Sequence, residues 1–332
     1  MKDHQFSRRA LTCSAAAAML AGCGGSQPPI AAPGAMPQTP AIATLADRGK
    51  SWMLPEAKSE DLLYASDVHN NVVDVYSFPR GKYVGMLTGF GQPYGLCVDA
   101  AGDIFVPDFV NSRIVEYGHG EETPKATLDD AGYSPLDCSV DPKTGNLAVT
   151  NNVAAGKGQG SILIYVGAKG TPQTYVDPKT YYYFYCTYDD NGNLYFDGGA
   201  ESGNSSDNTS RYELLQVHRN RFRPIGIHWN PRDPKPQAGG LHWFRGHLAI
   251  AKLNHDTSSS LYEVDPRSGR ILESAPLSDS VGVEDFFIRG STIVSPNYDA
   301  IQFWRYPSGG SPTKTIPGDK AIFVSGALSK AR

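Results

Sequence analysis

The chain has 332 residues, of which 40% are hydrophobic and 19% charged, with a formal net charge of −4. That balance suits a large buried core and excludes a disordered or collagen-like chain. No basic face is evident, which argues against nucleic acid as a partner.

At the front, Arg8 and Arg9 precede the apolar stretch ALTCSAAAAML, which is too short to span a bilayer as a helix and reads as a signal peptide over residues 1–22. Its end, Leu20-Ala21-Gly22-Cys23, resembles the lipobox of bacterial lipoproteins, and the resemblance implies acylation of Cys23 and a membrane as partner through that anchor. Buried acyl CH₂ groups contribute roughly 0.8 kcal/mol each, so such a residue holds a chain to a membrane without a spanning helix. The stretch SRRAL also resembles a degenerate twin-arginine signal. Gly24 stands where lipoproteins kept at the inner membrane carry Asp, so the expected location is the outer membrane, on its periplasmic or surface face. Loss of Lys2, Asp3, Arg8 and Arg9 with the signal moves the net charge from −4 to −6. Residues 23–58 are expected to form the acylated end and a tether, because residues 24–50 are rich in Pro, Gly, Ala and Gln and lack apolar periodicity. Ordered chain is expected from near Trp52, and the repeats fill 59–332.

Along that body, PYGLCVDAAGDIFVPDFVNSRIVEYG is echoed by PLDCSVDPKTGNLAVTNN with GSILIYVG, and by FYCTYDDNGNLYFDGG with YELLQVH. Two weaker copies begin at GGLHWF and VEDFFIRG, and a truncated one, DLLYASDVHNNVVDVYSF, stands first. Taking Leu96, Asp137, Tyr185, Leu241 and Asp285 as landmarks, the spacing runs from roughly 41 to 56 residues. Each unit holds runs of four to six residues rich in Val, Ile, Tyr and Phe, cut by turn signals such as Ala101-Gly102-Asp103 and Asn191-Gly192-Asn193. No amphipathic helical period of useful length occurs, which argues against βαβ folds. Four strands per unit, six times over, predict an all-β, six-bladed β-propeller. The first copy lacks its opening strand, and AIFVSGALS at the end has that strand's character. Residues 321–329 are therefore expected to close the ring against the sheet formed by residues 61–88.

The pattern P-x-G-x-x-V-D, G-x-I-x-V-x-D and N-x-x-I-x-x-Y resembles NHL repeats and, more broadly, six-bladed propellers of the gluconolactonase and regucalcin type. The resemblance implies the fold strongly and an activity weakly, since such propellers serve as lactonases, lyases and binding scaffolds. It also implies a divalent metal at one end of the axis, held by carboxylate and amide oxygens; Ca²⁺ or Mg²⁺ suits such hard ligands. Asn151, Asn254, Glu284 and Asn297 are the candidate ligands, although no Glu-Asn-Asp set of that family aligns residue by residue. Asp137, His242, Glu284 and Asp285, at the starts of inner strands, are candidate ligand-binding groups.

Asp108 and Asn111 recur as Asp67 and Asn70, as Asn151, and as Asn297 with Asp299, always after a second strand. Such recurrence indicates an Asx turn closing the loop and not a site. The histidines show no H-x-x-x-H pair and there is no G-x-S-x-G elbow, which leaves no zinc-helix or hydrolase motif. Cys97, Cys138 and Cys186 fall on consecutive inner strands and are expected to remain buried thiols, equivalent positions on neighbouring units lying too far apart to bridge. The run YYYFYC places Tyr181, Tyr183 and Tyr185 on one face, with Tyr94 at the approach to a neighbouring strand. Packing between sheets and a rim for sugars or peptides are both open. The resulting expectation is an anchored binding or scaffolding module for an envelope protein, peptide or glycan. Its alternatives are a metal-dependent hydrolase or lactonase at the axis, and a carbohydrate- or peptide-binding rim at Tyr181 to Tyr185.

Overall fold

The computed structural model describes residues 49–130, 132–154, 158–199, 212–218, 221–229, 239–253, 259–280, 282–318 and 321–331. Its strands form six antiparallel sheets among these residues. Sheet one holds β1 (Trp52–Met53), β2 (Leu62–Asp67), β3 (Val72–Ser77) and β4 (Tyr83–Leu87). Sheet two holds β5 (Cys97–Val98), β6 (Ile104–Asp108), β7 (Arg113–Tyr117) and β8 (Pro124–Asp129). Sheet three holds β9 (Tyr133–Val140), β10 (Leu147–Ala154), β11 (Gly158–Tyr165) and β12 (Gln173–Tyr175). Sheet four holds β13 (Tyr182–Tyr188), β14 (Leu194–Gly199), β15 (Tyr212–His218) and β16 (Arg221–Ile225). Sheet five holds β17 (Leu241–Phe244), β18 (His247–Leu253), β19 (Ser259–Val264) and β20 (Ile271–Leu277). Sheet six holds β21 (Phe287–Arg289), β22 (Thr292–Asn297), β23 (Ala300–Arg305) and β24 (Gly309–Pro317), and touches sheet five through one parallel pairing, Leu277 with Gly310.

The last strand, β25 (Phe323–Ser329), runs antiparallel to β2, with Leu62 opposite Ser329 and Ala65 opposite Gly326. It supplies sheet one with the strand its own sequence lacks. At the other edge, Trp52 and Met53 pair with Met86 and Gly85, and Pro55–Lys58 form a 3-10 turn. The ordered body thus takes in residues assigned above to the tether, because β4 offers an unpaired edge that a short apolar segment covers.

Side-chain alternation explains how the sheets associate. Along β2, Leu62 and Tyr64 pack with Leu96, Ile104 and Val106 of sheet two, whereas Leu63 and Ala65 pack with Val294, Ile301 and Phe303 of sheet six. Leu147 and Val149 meet Phe105 and Ile114 of sheet two, while Ala148 and Ile162 meet Tyr183 and Phe196 of sheet four. Every sheet buries both faces, so its central strands read as continuous apolar runs. A fully buried Leu or Ile contributes about 1.5–3 kcal/mol, and each sheet-to-sheet seam collects several. Sheets four and five, and five and six, share cores of the same kind around Leu241 and Trp304. The seams therefore return to their starting point.

The hairpins between first and second strands of sheets two and four use one device. Asp99 Oδ1 accepts the backbone N–H groups of Ala101 and Asp103, both at 2.8 Å, and Gly102 takes φ 84°. Asp189 does the same for Asn191 and Asn193. A left-handed residue is needed at that point of the turn, which is why glycine follows the aspartate.

The cysteines depart from expectation. Cys97 and Cys138 form a disulfide, with Cα atoms 5.6 Å apart, and among the described residues Cys186 is the one buried free thiol. The two residues are one place out of equivalence along their strands. The inner strands also crowd together near the axis, so the offset pair falls within bridging range.

Candidate functional site at the ring axis

Asp108, buried completely, is structural in the way its recurrence suggests, though its partners are more distant than an Asx turn requires. Its Oδ1 accepts N–H groups of Gly91 and Gln92, just before β5, and its Oδ2 takes Asn111 Nδ2 and Arg113 Nε. Asp67 likewise binds His69, Asn70 and, ahead of β25, Ile322. In sheets two and one these carboxylates fasten the inner strand's leading segment to the end of the second strand.

The inner strands themselves are joined by a relay of polar contacts. Gly95 N–H donates to Leu136 O (2.7 Å), Cys186 N–H to Asp137 Oδ2 (2.9 Å), Trp243 N–H to Thr187 Oγ1 (2.9 Å), and Gly240 N–H to Glu284 O (2.5 Å). Ser325 Oγ donates to Asp285 Oδ2 (2.6 Å) and accepts Leu96 N–H (3.1 Å), which completes the circuit from sheet six through sheet one to sheet two. Two glycines make room for these carboxylates. A Cβ at Gly95 would overlap Asp137 Oδ1, and one at Gly240 would stand 2.6 Å from Asp285 Oδ1.

This circuit gathers six of the residues singled out by sequence. His242 Nε2 donates to Asp285 Oδ1 at 2.7 Å, with 32% of the imidazole side chain accessible and 2% of the aspartate. Burial drives the Asp137 carboxyl well above its ordinary pKa, and the charge of Asp285 adds to that; the Cys186 N–H and His242 oppose it. Burial alone would lower the His242 pKa, but the charge and hydrogen bond of Asp285, then Asp137, raise it. Glu284 is raised by burial and then by Asp285. The Tyr185 phenol is raised far by burial, then by Glu284, Asp285, Asp137 and Asp197 together, and Tyr94 by burial, Glu284 and Tyr298. Around Tyr185, then, stand four carboxyl groups from three sheets. Tyr94, Tyr185, His242 and Glu284 keep partial exposure, and Tyr298 is 42% exposed at the rim.

Ser325, Asp285 and His242 do not make a nucleophilic triad. The serine proton is directed to the aspartate and not to the imidazole, so no base activates the hydroxyl. The arrangement instead holds a half-open, acid-rich mouth in fixed geometry.

Other candidates lie elsewhere. Tyr183 is fully buried, stacked 5.3 Å from Phe196 with its hydroxyl at Asp177, and cannot face a ligand. Tyr181 packs edge-on against Tyr182, and its hydroxyl stands near Gly158 at the start of β11. A register shift between Tyr183 and Cys186 breaks the simple alternation, so buried Tyr183 and Tyr185, which stands among the axial carboxyl groups, have different surroundings. Asn151 donates to Ser161 Oγ (3.2 Å) and Asn297 to Gln302 Oε1 (2.6 Å), both buried within their own sheets. Asn254 and Cys23 lie outside the described residues. Among the described residues no group of three or more His, Cys, Asp or Glu is placed to hold a metal ion. Of the three proposed ligands among the described residues, Asn151 and Asn297 turn to partners in their own sheets, and Glu284 stands next to Asp285 at the axis.

Sequence reasoning missed Ser325 and Asp197. The first was legible in outline, since it sits in the closing strand; the second was hidden because Asp197 belongs to a second strand whose side chain reaches back to the Tyr185 N–H at 2.7 Å.

No family model and no curated protein matches the chain. Among solved structures, a chain of the crystal structure of the Nidogen/Laminin complex superposes with a TM-score of 0.64 at 11% identity, covering 82% of this chain and 99% of that one. Kuenenia stuttgartiensis Hydrazine Synthase superposes with a TM-score of 0.57 at 13% identity, covering 77% and 83%. The chain folds as a β-propeller. At such identities the likeness concerns the fold alone, and the propeller's function has to be argued from its axial mouth.

Proposed function

We propose that the chain is an exported, membrane-anchored, six-bladed β-propeller of the cell envelope, lipidated at Cys23 and displayed at the outer membrane. It works as a binding module that takes its ligand at the axial mouth. One observation carries the binding reading: Asp137 and Asp285 are committed to backbone and side-chain partners that lock the inner strands together, while Tyr94, Tyr185, His242 and Glu284 remain partly open around them. A rigid frame with a few convergent polar and aromatic groups is what recognition requires. The lipobox resemblance supports the anchor.

The test places a photo-crosslinking residue at Tyr298, after a second strand, and separately at the 56%-exposed Val166, after a third strand and so at the opposite end of the sheets. The expected result is a discrete adduct in cells from position 298 and none from 166; adducts from 166 alone overturn the choice of face. Loss of membrane association and of acyl labelling in Cys23→Ala is expected, and retention of both rejects the anchor.

A further inference from the structure

His119 stands half-buried just beyond β7, where the closing strand meets sheet two. Its Nδ1 lies 2.6 Å from Ser329 Oγ, and its Nε2 lies 3.0 Å from the backbone oxygen of Glu60. Ser329 ends β25 opposite Leu62, at the far end of that ladder from Phe323, and Glu60 comes two residues ahead of β2. The Ser329 hydroxyl is buried and donates in turn to Gly102 O at 2.6 Å, in the hairpin between β5 and β6. One imidazole thus joins the closing strand, the lead into β2 and a turn of sheet two.

The protons available fix the state of that ring. A carbonyl oxygen only accepts, so the contact with Glu60 O requires a proton on Nε2. The Ser329 hydroxyl has a single proton, which Gly102 O takes, so Nδ1 must bring its own. All three contacts are satisfied together by the imidazolium and by neither neutral tautomer. Without its proton, Nδ1 draws the serine hydroxyl to itself, and Gly102 O is left without that donor. Without its proton, Nε2 turns a lone pair on the Glu60 carbonyl.

We propose that His119 is a proton-operated clasp on the ring closure, whose imidazolium ties β25 to sheets one and two and whose deprotonation releases Gly102 and weakens that closure. Charged groups on the surrounding elements are engaged with one another: Glu60 with Arg80, Glu121 with Lys58, and Asp103 and Glu116 with Lys125. Asp61 Oδ1 takes the Ala331 N–H, Asp99 Oδ1 takes those of Ala101 and Asp103, and the Lys330 backbone lies against Gly102. Glu60 Oε2 stays buried without a hydrogen-bond partner, and a positive ring beside that residue offsets its carboxylate. A free imidazole titrates near pH ~6.5. Hydrogen bonds that only the charged ring can complete make the folded chain hold this proton more firmly than the unfolded one. The clasp's contribution is therefore complete below about pH 6.5 and is lost as pH rises above it.

The experiment joins NMR and unfolding on the full chain labelled with nitrogen-15. Long-range proton–nitrogen spectra report which ring nitrogens carry protons, and the His119 signals are those absent from His119→Gln and shifted in Ser329→Ala. At pH 7, where a free imidazole is mostly neutral, both His119 nitrogens are expected to be protonated. In urea unfolding from pH 5.5 to 8.5, the folded-to-unfolded ratio of the parent, relative to that of His119→Gln, should fall several-fold as pH rises. Ser329→Ala, which leaves the ring no occupied hydroxyl to face, should track His119→Gln. A neutral His119 ring at pH 7, or a ratio that stays constant across the range, overturns the proposal. If His119→Gln fails to fold, the shift in Ser329→Ala still assigns the ring, and comparison of the parent with Ser329→Ala decides the same question.

Discussion

Replacing Asp130 by Asn should make the propeller more stable, and increasingly so as pH rises from 5 to 8. Asp130 sits between β8 and β9 with no exposed surface; Tyr165 Oη reaches its Oδ1 at 3.4 Å, and Oδ2 has no partner. Burial pushes its pKa up to about 8, against the weaker pull of Tyr165 and Asn151. The unfolded chain holds this carboxyl near its ordinary value of about 3.9. Between these values the folded state carries a proton that the unfolded state has lost, so stability falls as pH rises, by about 1.4 kcal/mol per unit, and the fall stops once the folded group ionises near pH 8. At pH 7 the accumulated loss is roughly 4 kcal/mol as an upper bound. The amide of the Asp130→Asn variant has the same shape as the carboxyl and no titration, so it escapes this loss. The assay is urea unfolding of both proteins, followed by tryptophan fluorescence at unit steps from pH 5 to 9. The stability difference should widen steadily to pH 8 and then level. A difference constant across pH 5 to 8 would show the carboxyl already ionised in the fold and refute the reasoning.

Three further outcomes follow from named contacts. Cys97→Ser opens a loop of 41 residues; chain entropy sets the expected loss at about 4 kcal/mol, and dithiothreitol should lower the melting temperature of the parent and leave the variant's unchanged. Asp108→Ala strips a buried carboxylate from Gly91, Gln92, Asn111 and Arg113; a loss of about 3–5 kcal/mol in denaturant unfolding is expected, with Asp108→Asn costing less because it still accepts hydrogen bonds. Ser325→Ala leaves Leu96 N–H and Asp285 Oδ2 without their shared partner; about 1–3 kcal/mol should be lost per orphaned group, visible in calorimetry.

Much of the fold is legible because each unit repeats the same physical instructions. The Asp-x-x-Gly turns at Asp99 and Asp189 mark the hairpins, and the missing strand before Leu62 foretells the return of Phe323–Ser329. Distances between units are less legible. Equivalence along strands suggested that Cys97 and Cys138 stand apart, yet convergence at the axis brings them to 5.6 Å between Cα atoms. Side-chain direction is hidden for a similar reason. Asn151 and Asn297 have the composition of metal ligands but turn to Ser161 and Gln302 within their sheets, and a register shift separates buried Tyr183 from axial Tyr185. Alternation predicts a face only while the ladder stays regular.

Hydrogen exchange read by mass spectrometry tests the ring directly, because β25 and β2 share one ladder from Leu62 with Ser329 to Asp67 with Phe323. If that ladder closes the propeller, amides of the two segments exchange slowly and at a common rate, opening as one unit. Rapid exchange across residues 323–329 beside a protected 62–67 would contradict the closed ring, and with it the axial mouth.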